Sequence, residues 1–271
     1  MNKKLLIIPT FLTLISLASC SLIEDDSSGS EDATDLNSEI STTEITSSYR
    51  DAYDKVKHST AAVRNMVTSS SMSIGSCVCI KTDSDYSYYL TNRHVIEASD
   101  EDKESDNLSV YLGEYGYYSA TLMFCSTHSE REKNTCDDLA LLRIATPNKS
   151  GLTIEAATFS SKVISKGASV ISVGSPVSLE YYNTVTSGII SKVLTSKNLY
   201  QHTASINPGN SGGGLFTLDG ELVGLNVAGL IVTKTKTDST GTYTYNEVAD
   251  MDYAITVDNI KSFLSKNSFS L

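Results

Sequence analysis

The chain has no tryptophan, four prolines and four histidines, and its 21 lysines and arginines are outnumbered by 32 aspartates and glutamates. The resulting net charge of −11 argues against nucleic acid or an anionic membrane surface as a partner, since both are bound through basic patches. No repeat of solenoid period is visible. The one conspicuous apolar run, Leu5–Ala18, is too short to cross a bilayer comfortably, which takes about 20 residues. Cysteine is sparse. Cys77 and Cys79 fall on one face of a single strand, where they are poorly placed to bond each other. They lack partners for a metal, so buried free thiols are expected. No metal and no organic cofactor is implied.

What the chain does have is short apolar runs separated by turn signals. These are Ala61–Met66, Cys77–Lys81, Tyr86–Thr91, Leu108–Leu112, Ala120–Cys125 and Leu139–Ile144, then Val170–Val173, Gly188–Leu194, Leu215–Leu218, Leu222–Asn226 and Leu230–Thr235. Many short strands with little helix predict an all-β barrel or sandwich. Helices are expected only at Ser47–Lys57 and Val257–Ser265, the latter capped by Thr256 or Asp258. The stretch Thr233–Glu247 reads as a hairpin turning at Asp238-Ser239-Thr240-Gly241.

The N-terminus is organised differently. Lys3 and Lys4 precede the apolar run, which ends Leu17-Ala18-Ser19-Cys20. This reads as a secretory signal peptide over residues 1–19 and resembles the bacterial lipobox, in which the cysteine, here Cys20, carries the lipid. Residues 20–47 are rich in Ser, Thr, Asp and Glu, with no Lys or Arg. Such a composition cannot bury enough apolar surface to fold, so it is expected to be a tether below a domain spanning 48–271. The predicted location is extracytoplasmic, with the protein anchored by lipid to a bacterial cell membrane.

Three segments carry chemistry. Ile206-Asn207-Pro208-Gly209-Asn210-Ser211-Gly212-Gly213-Gly214 surrounds a serine with glycines, which can bring backbone close to a ligand and aim N–H groups at a developing oxyanion. Tyr89-Leu90-Thr91-Asn92-Arg93-His94 delivers a histidine at the end of an apolar strand. Asp137-Asp138-Leu139-Ala140-Leu141 opens another strand with two aspartates. The order His, Asp, Ser is one of the chain orders in which the acyl-transfer triad recurs.

These segments resemble the chymotrypsin-fold serine peptidases, and among them the bacterial HtrA (Deg) branch. Further blocks agree: Gly167–Pro176, Val185–Ser191, Asp219–Asn226, Gly75-Ser76 and Asp252–Ile255. The matches span about residues 52 to 260. The resemblance implies two six-stranded antiparallel β-barrels of the chymotrypsin type with the active site between them. It implies Ser211 as nucleophile, His94 as base and Asp138, with Asp137 as the rival, as the carboxylate that orients the imidazole. The oxyanion hole is expected from the backbone of Gly209, Asn210 and Ser211. Ser205 beside Ile206 would floor the primary specificity pocket, and Asn226, Val227 and Ala228 would pair with the substrate backbone. With no acidic residue at the floor, cleavage after small or medium aliphatic residues is expected. His202 with Ser205 keeps open a pocket for glutamate. Relatives often trimerise through N-terminal aromatics, for which Tyr49 and Tyr53 are the candidates. Many relatives carry a PDZ domain; none is expected here. Gly214 departs from the proline that many relatives have after Ser-Gly-Gly.

Cys125 and Cys136 flank the polar loop that leads to the aspartates, and an oxidising compartment admits a disulfide between them. The expectation is therefore a lipid-anchored serine endopeptidase acting on polypeptides. The alternative is a peptidase-fold binding or sensor protein, catalytically silent or active only conditionally.

Overall fold

The computed structural model describes residues 42–67, 71–98, 104–127, 130, 135–238 and 241–271, with the side chains of 42–47, 228 and 230–250 excepted. The expected signal peptide, Cys20 and the expected tether up to residue 41 lie outside the described residues.

Twelve strands close into two antiparallel barrels. The first uses β1 (Thr60–Met66), β2 (Met72–Thr82), β3 (Tyr86–Thr91), β4 (Leu108–Tyr111), β5 (Tyr117–Cys125) and β6 (Ala140–Ala145), in the order β1-β2-β3-β6-β5-β4. The second uses β7 (Ser169–Gly174), β8 (Thr184–Leu194), β9 (Leu199–His202), β10 (Gly214–Thr217), β11 (Leu222–Asp238) and β12 (Gly241–Thr256), in the order β10-β11-β12-β9-β8-β7. This is the expected double-barrel architecture. Helix α1 (Thr42–Val56) precedes the barrels and α2 (Val257–Lys266) follows them.

The residue pattern explains which strands face what. On β5, Tyr117, Ser119, Thr121 and Met123 point to solvent while the residues between them turn inward, the alternation of a half-buried strand. The run Ala140-Leu141-Leu142 in β6 is buried throughout, because β6 is covered on both faces. Ala140, Leu142 and Ile144 fill the first barrel with Cys77, Cys79 and Tyr89. Leu141 points the other way. With Val78 and Leu90 it meets Ile171, Phe216 and Leu225 of the second barrel in a shared core. Burial of such side chains stabilises by about 1.5–3 kcal/mol each, and it holds the two barrels together.

Both helices seal this shared core. Ala52 and Val56 of α1 enter it with Tyr49 and Tyr53 packed alongside, a spacing of three and four that defines one helical face. The tyrosines considered for trimer contacts are thus engaged with the domain's own core. Helix α1 begins five residues before the expected Ser47, inside the segment read as tether. Ile260 and Leu264 of α2 pack on the same core, and Thr256 caps α2 by accepting from Asn259 N–H.

The expected hairpin exists and is longer than its sequence suggests. β11 and β12 pair from Gly224 opposite Thr256 to Asp238 opposite Gly241. Its outer half was legible because Thr, Tyr and Val favour strands.

Candidate active site

The histidine segment is built by β3 and one turn after it. Thr91 Oγ1 donates to Ser76 O at 2.7 Å, and Asn92 Nδ2 donates to Asp138 O at 2.8 Å. These buried bonds fix the chain on either side of the bend that presents His94. Asp138 follows a short turn, Thr135–Asp137, and is separated from β6 by Leu139 alone. Its carboxylate is buried and used twice. Oδ1 accepts from His94 N–H at 2.9 Å, and Oδ2 lies 2.5 Å from His94 Nδ1. A carboxylate on Nδ1 favours the tautomer with its proton there, which leaves Nε2 as an acceptor on the partly exposed side of the ring. Asp137 faces the Cys136 thiol, which approaches its Oδ1 at 3.8 Å, rather than the histidine.

Ser211 sits on the second barrel and is held against the first. Its C=O accepts from Ser76 N–H at 2.8 Å. Gly209 and Gly212 have φ of 101° and 83°, values an L side chain rarely adopts. A Cβ on Gly212 would collide with Ser76 O and Thr91 Oγ1, so glycine is required for the serine loop to dock beside the histidine strand. The described residues include no hydrogen bond between Ser211 Oγ and His94. Such bonds are often long before substrate arrives.

Of the three residues expected to line the oxyanion hole, two keep an unspent backbone N–H. Asn210 donates its N–H to Asn207 O at 2.9 Å, so Asn210 is not available as the third donor expected from the sequence. Among the described residues no acceptor takes the N–H of Gly209 or of Ser211.

The substrate-binding candidates divide. Ser205 is exposed, and its C=O accepts from Thr186 Oγ1 at 2.9 Å; Ile206 N–H donates to Asp252 Oδ2 at 3.1 Å. Asn226 is not free to pair with a substrate: its N–H and C=O are bonded to Gly213 O and Gly212 N, and its side chain donates to Ser172. An added strand would begin at Val227, where the β11–β12 register shifts. Ala228 lies on β11, its side chain outside the described set. His202 is fully buried in β9 and its pKa is lowered to about 4 by desolvation, so at neutral pH it is uncharged and brings no cation to a glutamate pocket.

The disulfide expectation is corrected. Cys125 and Cys136 are free thiols. Cys125 Sγ turns into a polar cluster, 3.1 Å from Arg93 Nη1 and 3.4 Å from Glu104 Oε1, while Cys136 is buried beside Asp137. Cys77 and Cys79 are free and buried, as expected.

Sequence reasoning passed over Arg93, the residue before the histidine. Its side chain is only 2% exposed, and Nη1 donates to Glu104 Oε1 at 2.6 Å and to Ser126 O at 2.8 Å. Ser126 in turn bonds Leu139, next to Asp138. Arg93 therefore ties the histidine turn to the aspartate turn. An arginine in the turn just after an apolar strand, beside the histidine, was the available signal.

A family model described as "Trypsin-like peptidase domain" matches residues 75–225, a span that contains His94, Asp138 and Ser211. The chain belongs to that family. It is 32% identical over 161 residues to the serine protease Do-like HtrB of Bacillus subtilis, covering 55% of this chain and 31% of that protein. It is 30% identical over 205 residues to the serine protease Do-like HtrA of Lactococcus lactis, covering 71% and 44%. It is 34% identical over 164 residues to the periplasmic serine endoprotease DegP of Escherichia coli, covering 58% and 30%. The match thus spans about a third to under a half of these relatives' length. Among solved structures, the serine endoprotease from Yersinia pestis superposes with a TM-score of 0.59 at 26% identity, covering 81% of this chain and 66% of that one.

Proposed function

We propose that this chain is a serine endopeptidase in which Ser211 attacks the scissile carbonyl, His94 takes and later returns the proton, and Asp138 orients the imidazole and stabilises its cation. The observation that carries the reading is the two-point hold of Asp138 on His94, through the backbone N–H and through Nδ1. A carboxylate placed so serves an imidazole that becomes charged. The N–H groups of Gly209 and Ser211 would receive the oxyanion, a type of contact worth about 3 kcal/mol per donor.

The substrates we infer are unfolded or surface polypeptides, added as a strand from Val227 and cleaved after small or medium aliphatic residues. The support is the named activity of the relatives, the lack of a charged side chain at Ser205 and the neutrality of His202. The location we infer is extracytoplasmic, which fits relatives described as periplasmic. The anchor rests on Leu17-Ala18-Ser19-Cys20 alone. Association into a trimer through Tyr49 and Tyr53 would have to use the parts of the two rings left exposed by their packing on the shared core.

Digestion of a reduced, alkylated protein, with mass spectrometry of the new termini, tests activity and preference together. Termini following Val, Ala or Leu that vanish with Ser211→Ala support the proposal. Intact substrate, or cleavage after Lys and Arg, contradicts it. Labelling of expressing cells with radioactive palmitate, lost in Cys20→Ala, tests the anchor.

A further inference from the structure

The oxyanion loop is pinned one peptide plane at a time. A planar trans peptide holds its C=O and N–H in opposite directions, so fixing one carbonyl aims the N–H that shares its plane. Pro208 O accepts from Val177 N–H at 2.7 Å, which aims Gly209 N–H. Asn210 O accepts from Gly213 N–H at 2.9 Å, which aims Ser211 N–H. The plane between them, Gly209–Asn210, sets the angle between the two donors, and its carbonyl is held by a side chain: Ser76 Oγ donates to Gly209 O at 2.7 Å.

Ser76 belongs to the opposite barrel and is fully buried. Its hydroxyl is used in both directions, because Oγ also accepts from Ser175 N–H at 2.8 Å. The bonds continue outward. Asn183 N–H donates to Ser175 Oγ at 3.3 Å, Asn183 Oδ1 accepts from Thr60 Oγ1 at 2.8 Å, and Asn183 Nδ2 donates to Lys57 O at 3.0 Å. One connected line thus runs from the end of α1, through the segment before β8, to the carbonyl between the oxyanion donors.

We propose that Ser76 is a positioning residue of the oxyanion hole, and that Asn183 supports it through Ser175. This rests on the peptidase reading above. Buried polar networks of this kind hold a geometry firmly when every member is satisfied. Catalysis that depends on preorganised donors responds to their angle more than does the binding of an unreacted chain.

The test compares wild type, Ser76→Ala and Asn183→Gly. Asn183 has φ 54°, so glycine removes the amide while suiting the backbone. Each protein is assayed for kcat and KM on a peptide substrate. Each is also assayed for inhibition by a peptidyl aldehyde, which forms an oxyanion on Ser211, and by the matching peptidyl alcohol, which has no carbonyl or carboxylate oxygen to place on the donors. Ser76→Ala is expected to lower kcat about tenfold or more, with KM within about twofold. Aldehyde inhibition should weaken in parallel and inhibition by the peptidyl alcohol should hold. Asn183→Gly should show the same pattern, smaller. Unchanged kcat in Ser76→Ala, or equal weakening of aldehyde and peptidyl alcohol, overturns the assignment. A wild type that neither cleaves the peptide nor binds the aldehyde overturns the underlying peptidase reading instead.

Discussion

Asp137 and Asp138 differ by one position and by their surroundings: one faces a thiol, the other holds an imidazole at two points. Asp138→Asn should therefore lower kcat by about 10⁴-fold, since an amide favours the wrong tautomer. Asp137→Asn should stay within about threefold in the same steady-state assay; equal losses would undo the assignment. The pairing was legible from residue order and from the position of Asp138 against the Leu-Ala-Leu run. The role of Asn210 was not. Whether a loop N–H is spent inside the loop depends on φ and ψ at three consecutive positions, which residue identity does not report. A second residue-scale prediction concerns Val177, a β-branched residue at φ 63° beside the oxyanion loop. Asn tolerates that region, so Val177→Asn should stabilise by about 1 kcal/mol in urea unfolding, and a loss of stability would show that the valine backbone is unstrained.

Among the elements, the turn into β10 explains the departure at Gly214. A Cβ there would run into the Phe216 ring, and Phe216 is fully buried in the shared core. Glycine at 214 and phenylalanine at 216 are one packing solution. Gly214→Ala should cost about 1–3 kcal/mol by overpacking, and in a double-mutant cycle the cost should shrink in a Phe216→Leu background. Additive losses would mean the ring and the Cβ do not compete. Strand positions were readable because two-sided burial leaves apolar runs and one-sided burial leaves alternation. The short strand β9 was missed: Leu199-Tyr200-Gln201-His202 has neither pattern clearly, and pairing with β8 and β12 makes it a strand.

At the scale of the whole molecule, two barrels and two helices share one core, so stability and site geometry are coupled. Buried His202 gives this coupling a pH dependence. Its pKa is lowered to about 4 by desolvation, against about 6.5 in the unfolded chain. The unfolded state therefore binds more protons between those values. This contribution to stability is fully present above pH 6.5 and is lost as pH falls toward 4, by about 3 kcal/mol in all. Thermal unfolding across that range should show the decline in wild type and a flatter curve in His202→Leu. Parallel curves would place the acid sensitivity elsewhere. The disulfide expectation failed for a reason at this scale too: the choice between bonding and packing for Cys125 depended on Arg93 and Glu104, which come from distant parts of the chain.

A serine peptidase requires an activated Ser211. The direct measurement is covalent labelling of residues 42–271, which keep helix α1 whole, by a fluorophosphonate, read by mass spectrometry, beside Ser211→Ala and Asp138→Asn. Such probes react with a serine activated by its base and an oxyanion site. Wild type should carry one phosphonyl group on Ser211 and Ser211→Ala none, with labelling slowed at least about a hundredfold in Asp138→Asn. Folded wild type that stays unlabelled, or labels equally fast in Asp138→Asn, would contradict the peptidase reading.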